Sequence, residues 1–353
     1  MRRLYLIVFL FIPLLLSSCG GGEVKKSAEN VFSKDRAPYY WGKPGEYYEA
    51  QGDVMFSVIE DMLEEYPPQV GAPLGRVAAL SSLDMLCHDT RYDDSPPFHS
   101  FLDGRIDHLI ASLDRPSRKG LTIYKVFNDA FIVRTRKATV AFDLCGKYWK
   151  LQAVDSLRLS SLISHCDALF ISHRDSDHAD LESVMMFLSQ GSPVYCPEDC
   201  FPSNGKVTHL RREAVETLPL PIRGGRNLDV TLIPGHQDNL QNNVYVVEFP
   251  EGYTVAHFGD QWEGKEARPV VENAASLLGK PLDVMIADNW LMPLEETVRS
   301  FSPRLFVTGH ENEMSHSVDH REAFWLSFQK LENMDLPCPY LVMGWGEEFN
   351  FRK

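Results

Sequence analysis

The stretch ISHRDSDHAD, residues 171–180, sets two His and three Asp where an apolar run, ALF, gives way to a helix-like one, LESVMMFLSQ. Imidazole nitrogens and carboxylate oxygens bind divalent cations when they are fixed to within a few tenths of an ångström. A tight loop can turn His173 and Asp175 to one side and Asp177 and His178 to the other, which supplies two adjacent metal positions. The same residues can also form a polar helix cap, because Asp and Ser favour helix starts. Three further groups occupy comparable places: His236 after LDVTLIPG, Asp260 at the end of YTVAHFGD, and His310 after RLFVTG. Strand ends fix a backbone while leaving side chains free to converge. A lone histidine is more often a satisfied or surface residue. The ordered series, each member beside a turn, is what points to a metal centre.

The elements that would position these groups can be read from periodicity. Residues 37–119 read as a helical N-terminal region: Val54, Met55, Val58, Ile59, Met62 and Leu63 recur at helical spacing, and Pro67-Pro68 ends the run. GRVAALSSLDMLC and HSFLDGRIDHLIASL continue the pattern. At Gly120 the texture changes to short β-branched and aromatic runs, LTIYKVF, AFIVRT and ATVAFDLC, separated by turn residues. Further strand-like runs (DALFIS, LDVTLIPG, NVYVVEF, YTVAHF, DVMIAD, RLFVTG, YLVMGW) mix with helix-like ones at 179–190, 293–300 and 319–332. No solenoid-type repeat is present.

With the order strand–HxDxDH–helix, strand–GH, strand–GD, strand–GH in view, residues 120–353 resemble the metallo-β-lactamase superfamily of metallohydrolases. DALFISHRDSDHADLESV resembles its His-x-His-x-Asp-His motif, IPGH its third-motif His, HFGDQ its bridging Asp and VTGH its last His; Asp143 matches an Asp that commonly closes its third strand. The resemblance implies an α/β fold, a four-layer αββα sandwich, here preceded by the helical region. It implies two divalent metal ions: His173, residue 175 and His236 on the first, Asp177, His178 and His310 on the second, and Asp260 between them. The second His of the motif is replaced by Asp175, a harder oxygen donor, so manganese or iron is expected to compete with zinc. The implied activity is that of a binuclear metal-dependent hydrolase, in which a metal-bridged hydroxide attacks an ester, lactone or phosphodiester. Asp177 would orient the nucleophile. His316, six residues past His310, either protonates a leaving group or is an exposed loop histidine. Trp262 and Trp290 either line a pocket or simply pack. The compact GH and TGH arrangement looks most like the lactonase and phospholipase D-type branch, which implies a small-molecule or lipid-like substrate.

The first residues belong to targeting. MRRLYLIVFLFIPLLLSSC has two Arg, an apolar run from Leu4 to Leu16 and small residues, which reads as a signal peptide over 1–18. LSSC resembles the bacterial lipobox, so Cys19 is expected to carry lipid, with 19–36 as a tether. The expected location is the bacterial cell envelope, with the membrane engaged through that anchor. Net charge is −14, from 35 Lys+Arg and 49 Asp+Glu, which argues against a nucleic-acid partner. Cys87, Cys145, Cys166, Cys196, Cys200 and Cys338 have no zinc-finger spacing; Cys196 and Cys200 are close enough in sequence for a local disulfide, or are small buried residues. A rival reading keeps the fold without turnover, as a metal- or ligand-binding envelope lipoprotein, and Asp175 is the residue that favours it.

Overall fold

The β-branched and aromatic runs of the sequence fold as strands buried on both faces. The computed structural model describes residues 40–353, apart from 211–212, 263–267, 280, 292, 315 and the side chains of 268–272. The signal peptide, Cys19 and the tether lie outside the described residues. The chain divides into two units, Met1–Pro44 and Gly45–Lys353. Of the first, the described residues form a turn in which the Lys43 N–H donates to the Tyr40 carbonyl.

Three helices come first, α1 (Pro44–Glu65), all but its first residue in the second unit, α2 (Leu74–Cys87) and α3 (Pro96–Leu113). A meander follows, β1 (Leu121–Phe127), β2 (Ala130–Arg134) and β3 (Thr139–Phe142), then a small hairpin, β4 (Lys147–Tyr148) and β5 (Leu151–Gln152). Next come α4 (Ser156–Ser164), β6 (Ala168–Phe170), α5 (Leu181–Ser189), β7 (Val194–Cys196) and β8 (Thr208–His209). The chain continues through β9 (Glu216–Ile222), β10 (Arg226–Gln237), β11 (Leu240–Glu248), β12 (Thr254–His257) and α6 (Arg268–Leu278). It ends with β13 (Val284–Asp288), α7 (Leu294–Phe301), β14 (Leu305–Gly309), α8 (Phe324–Glu332), β15 (Tyr340–Leu341) and β16 (Glu347–Phe351).

Two mixed seven-stranded sheets result, ordered β16-β1-β2-β3-β6-β7-β8 and β15-β14-β13-β12-β11-β10-β9. Strand alternation divides their side chains. Leu121, Ile123, Phe142, Phe170, Tyr245, Val247, Ile286 and Val307 belong to one core cluster, drawn from both sheets. Tyr124, Val126, Leu169, Ala256 and Met285 join the other, with the helices. The first sheet carries α3 against β1 and β16 and α5 against β6 and β7, while α6 lies on β10 of the second. The architecture is the four-layer αββα sandwich, with the N-terminal helices sharing its core.

Two of those helices, α2 and α3, share a tie to the sheet through Glu347. Glu347, at the start of β16, accepts from Arg76 of α2 through both its oxygens, one at 2.6 Å, and lies 3.2 Å from Arg105 of α3. The Gly344 N–H also donates to it at 2.7 Å. Burial raises the pKa of this carboxyl, but the Arg76 charge and hydrogen bond, then Arg105, outweigh it and the net shift is downward. Two helices differ from their sequence reading, one longer and one shorter. α1 begins at Pro44 rather than near Asp53, and α8 begins at Phe324 after a 3-10 turn at Val318–His320. All six described cysteines are free thiols, including Cys196 and Cys200. Glu347→Gln leaves two guanidinium groups buried beside a neutral amide. It should lower stability by about 3–5 kcal/mol in urea denaturation; an unchanged midpoint would mean that the helices are held by apolar packing alone.

Candidate metal centre

The loop between β6 and α5 carries the motif, and its local structure separates cap from candidate ligands. Asp180 caps α5, accepting from the Glu182 and Ser183 N–H groups at 3.2 Å each. The preceding residues turn tightly, with the His178 and Ala179 N–H groups on the Asp175 carbonyl. Capping is thus done by Asp180, and Asp175 and Asp177 are left for other partners. Gly259 has φ of +54°, and a Cβ there would lie 2.3 Å from the Ser172 Cβ, so only glycine lets Asp260 approach the motif loop so closely.

One ligand atom each from Asp177, His178, Asp260 and His310 lie within 4.8 Å of one another; Asp177, His178 and Asp260 are buried and His310 is slightly exposed. The His178 Nε2 stands 3.0 Å from Asp177 Oδ2 and 3.1 Å from Asp260 Oδ1; the His310 Nε2 is 3.4 Å from each of the same atoms. On the other side, His173 Nε2 is 3.8 Å from Asp260 Oδ2 and 3.6 Å from Asp175 Oδ2. Asp260 therefore faces two imidazoles with one oxygen and a third with the other.

His236 is not brought into this group. Its side chain is exposed, while its neighbour Gln237 lines the cavity and donates to Asp260 Oδ2 at 3.0 Å. The cause is the two-residue period of β10, which pairs with β11 through His236 opposite Gln241 and Gln237 opposite Leu240. Neighbouring residues of a strand face opposite ways, so aiming Gln237 inward turns His236 out. In this arrangement Gln237, and not the His236 that the resemblance implies, lines the cavity, and an amide oxygen is a weaker donor than an imidazole.

Supporting groups orient the ligands. Asp143, just past β3, accepts from the Ser172 N–H at 2.7 Å and the Ser172 hydroxyl at 2.6 Å, and pairs with His178 Nδ1 at 2.8 Å. Ser172 Oγ also meets His173 Nδ1 at 2.9 Å. Both rings are thereby held by one nitrogen, with the other aimed into the site, the usual state of a metal-ligating histidine. The Nε2 atoms of His173 and His178 and one oxygen of Asp260 are buried without a hydrogen-bond partner. Leaving such atoms unsatisfied costs roughly 1–3 kcal/mol each. Nitrogen and carboxylate donors directed at one another in this way fit divalent cations.

Without a cation, the charges compensate one another. Burial disfavours a charged His178, but the carboxylates of Asp260, Asp177 and Asp143 outweigh it and raise its pKa well above the imidazole range. Burial likewise pushes Asp177 up, and the charge and hydrogen bond of His178 bring it below the carboxylate range. Beneath the site, burial and then Asp129 and Asp260 push Asp288 far up.

The N-terminal helices brace the far wall. Asp84 of α2 accepts from Asn312 Nδ2 at 2.6 Å and from the Phe324 and Trp325 N–H groups at 2.8 and 2.9 Å, so it caps α8 and pins the segment after His310. Arg321 donates to the Cys87 carbonyl and pairs with Asp93. This segment carries Glu313 and His316, whose Oε2 and Nε2 lie 3.3 Å apart on the wall of a cavity of about 290 Å³. Burial, then Asp177, push Glu313 up to about 8, and burial lowers His316. Trp149, Trp290, Asp175, Asp177, Asp260 and His310 line the same cavity. Trp262 lies against Trp290, their ring centroids 5.9 Å apart. Trp149, Gln237 and Glu313 were not read from the sequence as site residues.

No family model and no curated protein sequence matches the chain. Solved structures do match. Igni18, a metallo hydrolase from the archaeon Ignicoccus hospitalis, aligns with a TM-score of 0.51 and 16% identity, over 67% of this chain and 100% of that one. An isothiocyanate hydrolase from Delia radicum gut bacteria aligns with a TM-score of 0.47 and 16% identity, over 65% and 98%. A proposed zinc-dependent hydrolase of the metallo-β-lactamase superfamily from Thermotoga maritima aligns with 0.35 and 15%, over 60% and 85%. The likeness to Igni18 is one of fold, and the cluster of potential metal ligands in this chain lies at the ends of its strands.

Substitution separates the two neighbours on β10. Gln237→His should tighten zinc binding by roughly tenfold or more, in the range over which supporting groups alter metal affinity, and His236→Ala should leave it unchanged. Loss of a metal equivalent in His236→Ala, measured by calorimetric titration, would restore His236 to the ligand set.

Proposed function

We propose that the protein is a metal-dependent hydrolase with two divalent cations, acting on an ester, lactone or phosphodiester. The observation that carries this is the convergence of Asp177, His178, Asp260 and His310, together with the partnerless Nε2 atoms of His173 and His178. His173 and Asp175 would hold one cation beside Gln237, Asp177, His178 and His310 the other, and Asp260 would lie between. Cations so held would supply Lewis acidity and a water acidic enough to attack near neutral pH.

The chain's own groups do the rest. Asp177 Oδ2 accepts from Asn128 Nδ2 at 3.3 Å, which fixes the carboxylate for orienting an attacking water. The Glu313–His316 pair sits across the cavity, where it can hold a proton for a departing alkoxide or amine. The lactonase and phospholipase D-type branch is kept as the finer reading on the sequence motifs alone, and a lipid-like substrate with it. Zinc, manganese and iron all suit a donor set this rich in carboxylate.

Purified protein should carry bound metal, lose hydrolysis on chelation and regain it with zinc, manganese or iron. Asp177→Asn should lower turnover at least ~100-fold at saturating metal, the scale of losing a positioned acid–base group, and should also weaken binding of the cation that Asp177 would hold. Asp175→His should raise activity with zinc relative to manganese and move the activity–pH profile to lower pH. Metal-loaded protein inert toward esters, lactones and phosphodiesters alike would favour the rival reading, a non-catalytic metal- or ligand-binding lipoprotein. Asp175 and Gln237, standing where the motif has imidazoles, are what support that rival.

We also propose that the protein works at the bacterial envelope, anchored by lipid on Cys19. The support is the LSSC sequence after an apolar run. Cys19→Ala should move the protein from the membrane to the soluble fraction; membrane retention after signal cleavage would remove the proposal.

A further inference from the structure

Behind the candidate metal ligands lies a second group of carboxylates, of which only Asp260 has a part in the proposed hydrolase. Asp129, Asp260 and Asp288 each offer one oxygen, and these three oxygens lie within 4.8 Å of one another. They come from both sheets. Asp129 sits in the turn between β1 and β2 of the first sheet, Asp288 ends β13 of the second, and Asp260 follows β12 beside it. Three acidic residues together do not make a site. The surroundings of these three do more.

Asp129 and Asp288 are each 1% exposed, and none of their four oxygens has a hydrogen-bond partner. His257 Nε2 stands 3.2 Å from Asp129 Oδ2, so Asp129 has one counter-charge. Among the described residues, no Lys, Arg or His lies within ion-pair distance of Asp288, and no Lys or Arg within that distance of Asp129. The backbone makes room for the pair. Asp288 lies opposite Gly309 in the register of β13 and β14. A Cβ at Gly309 would stand 2.0 Å from Asp129 Oδ1 and 3.4 Å from Asp288 Oδ1. Two carboxylate oxygens thus converge over a glycine, in space that any other residue would fill.

Buried carboxylates without donors are costly, so a proton or a cation has to answer them. One shared proton would satisfy two of the four oxygens and leave two without a donor. A cation accepts several oxygens at once. We infer that Asp129, Asp288 and Asp260 hold a further divalent cation of the hard class, magnesium, calcium or manganese, which clamps the two sheets together beneath the candidate metal centre. The donor set decides the class: it is carboxylate oxygen alone, whereas the centre above it includes imidazoles and suits zinc as well. Binding would release the proton that burial otherwise favours on Asp288. This cation is additional to the two of the proposed hydrolase, and its donors stand whether or not the chain turns over a substrate. Asp129 and Asp288 are then positioning residues, acting through Asp260, which would be held from above and below.

The test uses the full chain carrying two equivalents of zinc, to which magnesium, calcium or manganese is added. Elemental analysis after equilibrium dialysis should find a third cation per chain, and Asp288→Asn should lose it while keeping both zinc ions. At a hundredfold excess over its dissociation constant, the added cation should raise the Tm by about 4 °C or more, in the wild type and not in Asp288→Asn. The cation with the greatest shift identifies the member of the class. Crystals grown with manganese should show an anomalous peak between Asp129 and Asp288, a readout that needs no variant to fold. Absence of that peak, or no third equivalent and no Tm shift with any of the three metals, would overturn the inference and leave the hydrolase reading standing. Asp288→Asn that folds and still binds three cations would overturn it too. So would Asp288→Asn more stable than the wild type in saturating magnesium, calcium and manganese alike, which would assign the pair to a shared proton. A third cation in a chain inert toward esters, lactones and phosphodiesters would leave the clamp standing and remove the hydrolase.

Discussion

Burial of like charge is the constraint that the rest of the structure answers. Asp129, Asp143, Asp177, Asp260 and Asp288 all lie at the strand ends with 4% or less of their surface exposed. Carboxylates so placed are tolerable only when paired, protonated or bound to cations. Each solution occurs here. His178 answers Asp143, Asp177 and Asp260, and His257 answers Asp129 at 3.2 Å. Asp288, between Asp129 and Asp260, is pushed toward its neutral form. The backbone around the cluster is held in unusual shapes to bring these groups together: Asn128, Asp143, His310 and Asn312 all have positive φ. Such conformations cost of order 1–3 kcal/mol each and persist where surrounding structure over-determines them.

That over-determination comes from within the sandwich and from the helices outside it. Lys125 of β1 pairs, fully buried, with Glu311 next to His310. Asp84 of α2 holds Asn312 and the start of α8. Glu347 ties α2 and α3 back to the sheet. The helical N-terminal region is thus a brace for the segment that follows β14, which bears His310, Glu313 and His316. A change in α2 would reach the chemistry by moving this segment, without touching any candidate ligand.

The parts of the fold that were legible in the sequence are those with a strong period or a turn signal. LTIYKVF and AFIVRT announce a meander, and the HxDxDH loop announces its own position between strand and helix. β9 was hidden because Pro219 and Pro221 argue against a strand; the structure places it at the edge of its sheet, where a missing N–H is tolerated. β16, EEFNF, lacks a clear apolar alternation because three of its residues serve the helices and the edge rather than the core. Within the site, His173, Asp175, Asp177, His178, Asp260 and His310 are gathered where residue type and placement suggested. His236 is not, since a one-residue difference in facing along β10 is invisible to composition and reverses a side chain's direction. Trp149 was illegible for another reason: nothing in YWK signals a two-residue hairpin when the turn's special position holds Trp in place of Gly.

The pairing of β16 with β1 joins residues 347–351 to residues 121–125. Contacts of such long sequence separation close a large loop before they return any stability, which slows folding. Until Glu347 arrives, Arg76 and Arg105 lack their buried carboxylate and β1 has an open edge. The electrostatic tie of the first helices to the sheet is therefore completed only by the last strand of the chain. The site's frame thus spans nearly the whole described chain, although most of its potential ligands lie well before the strand that closes it.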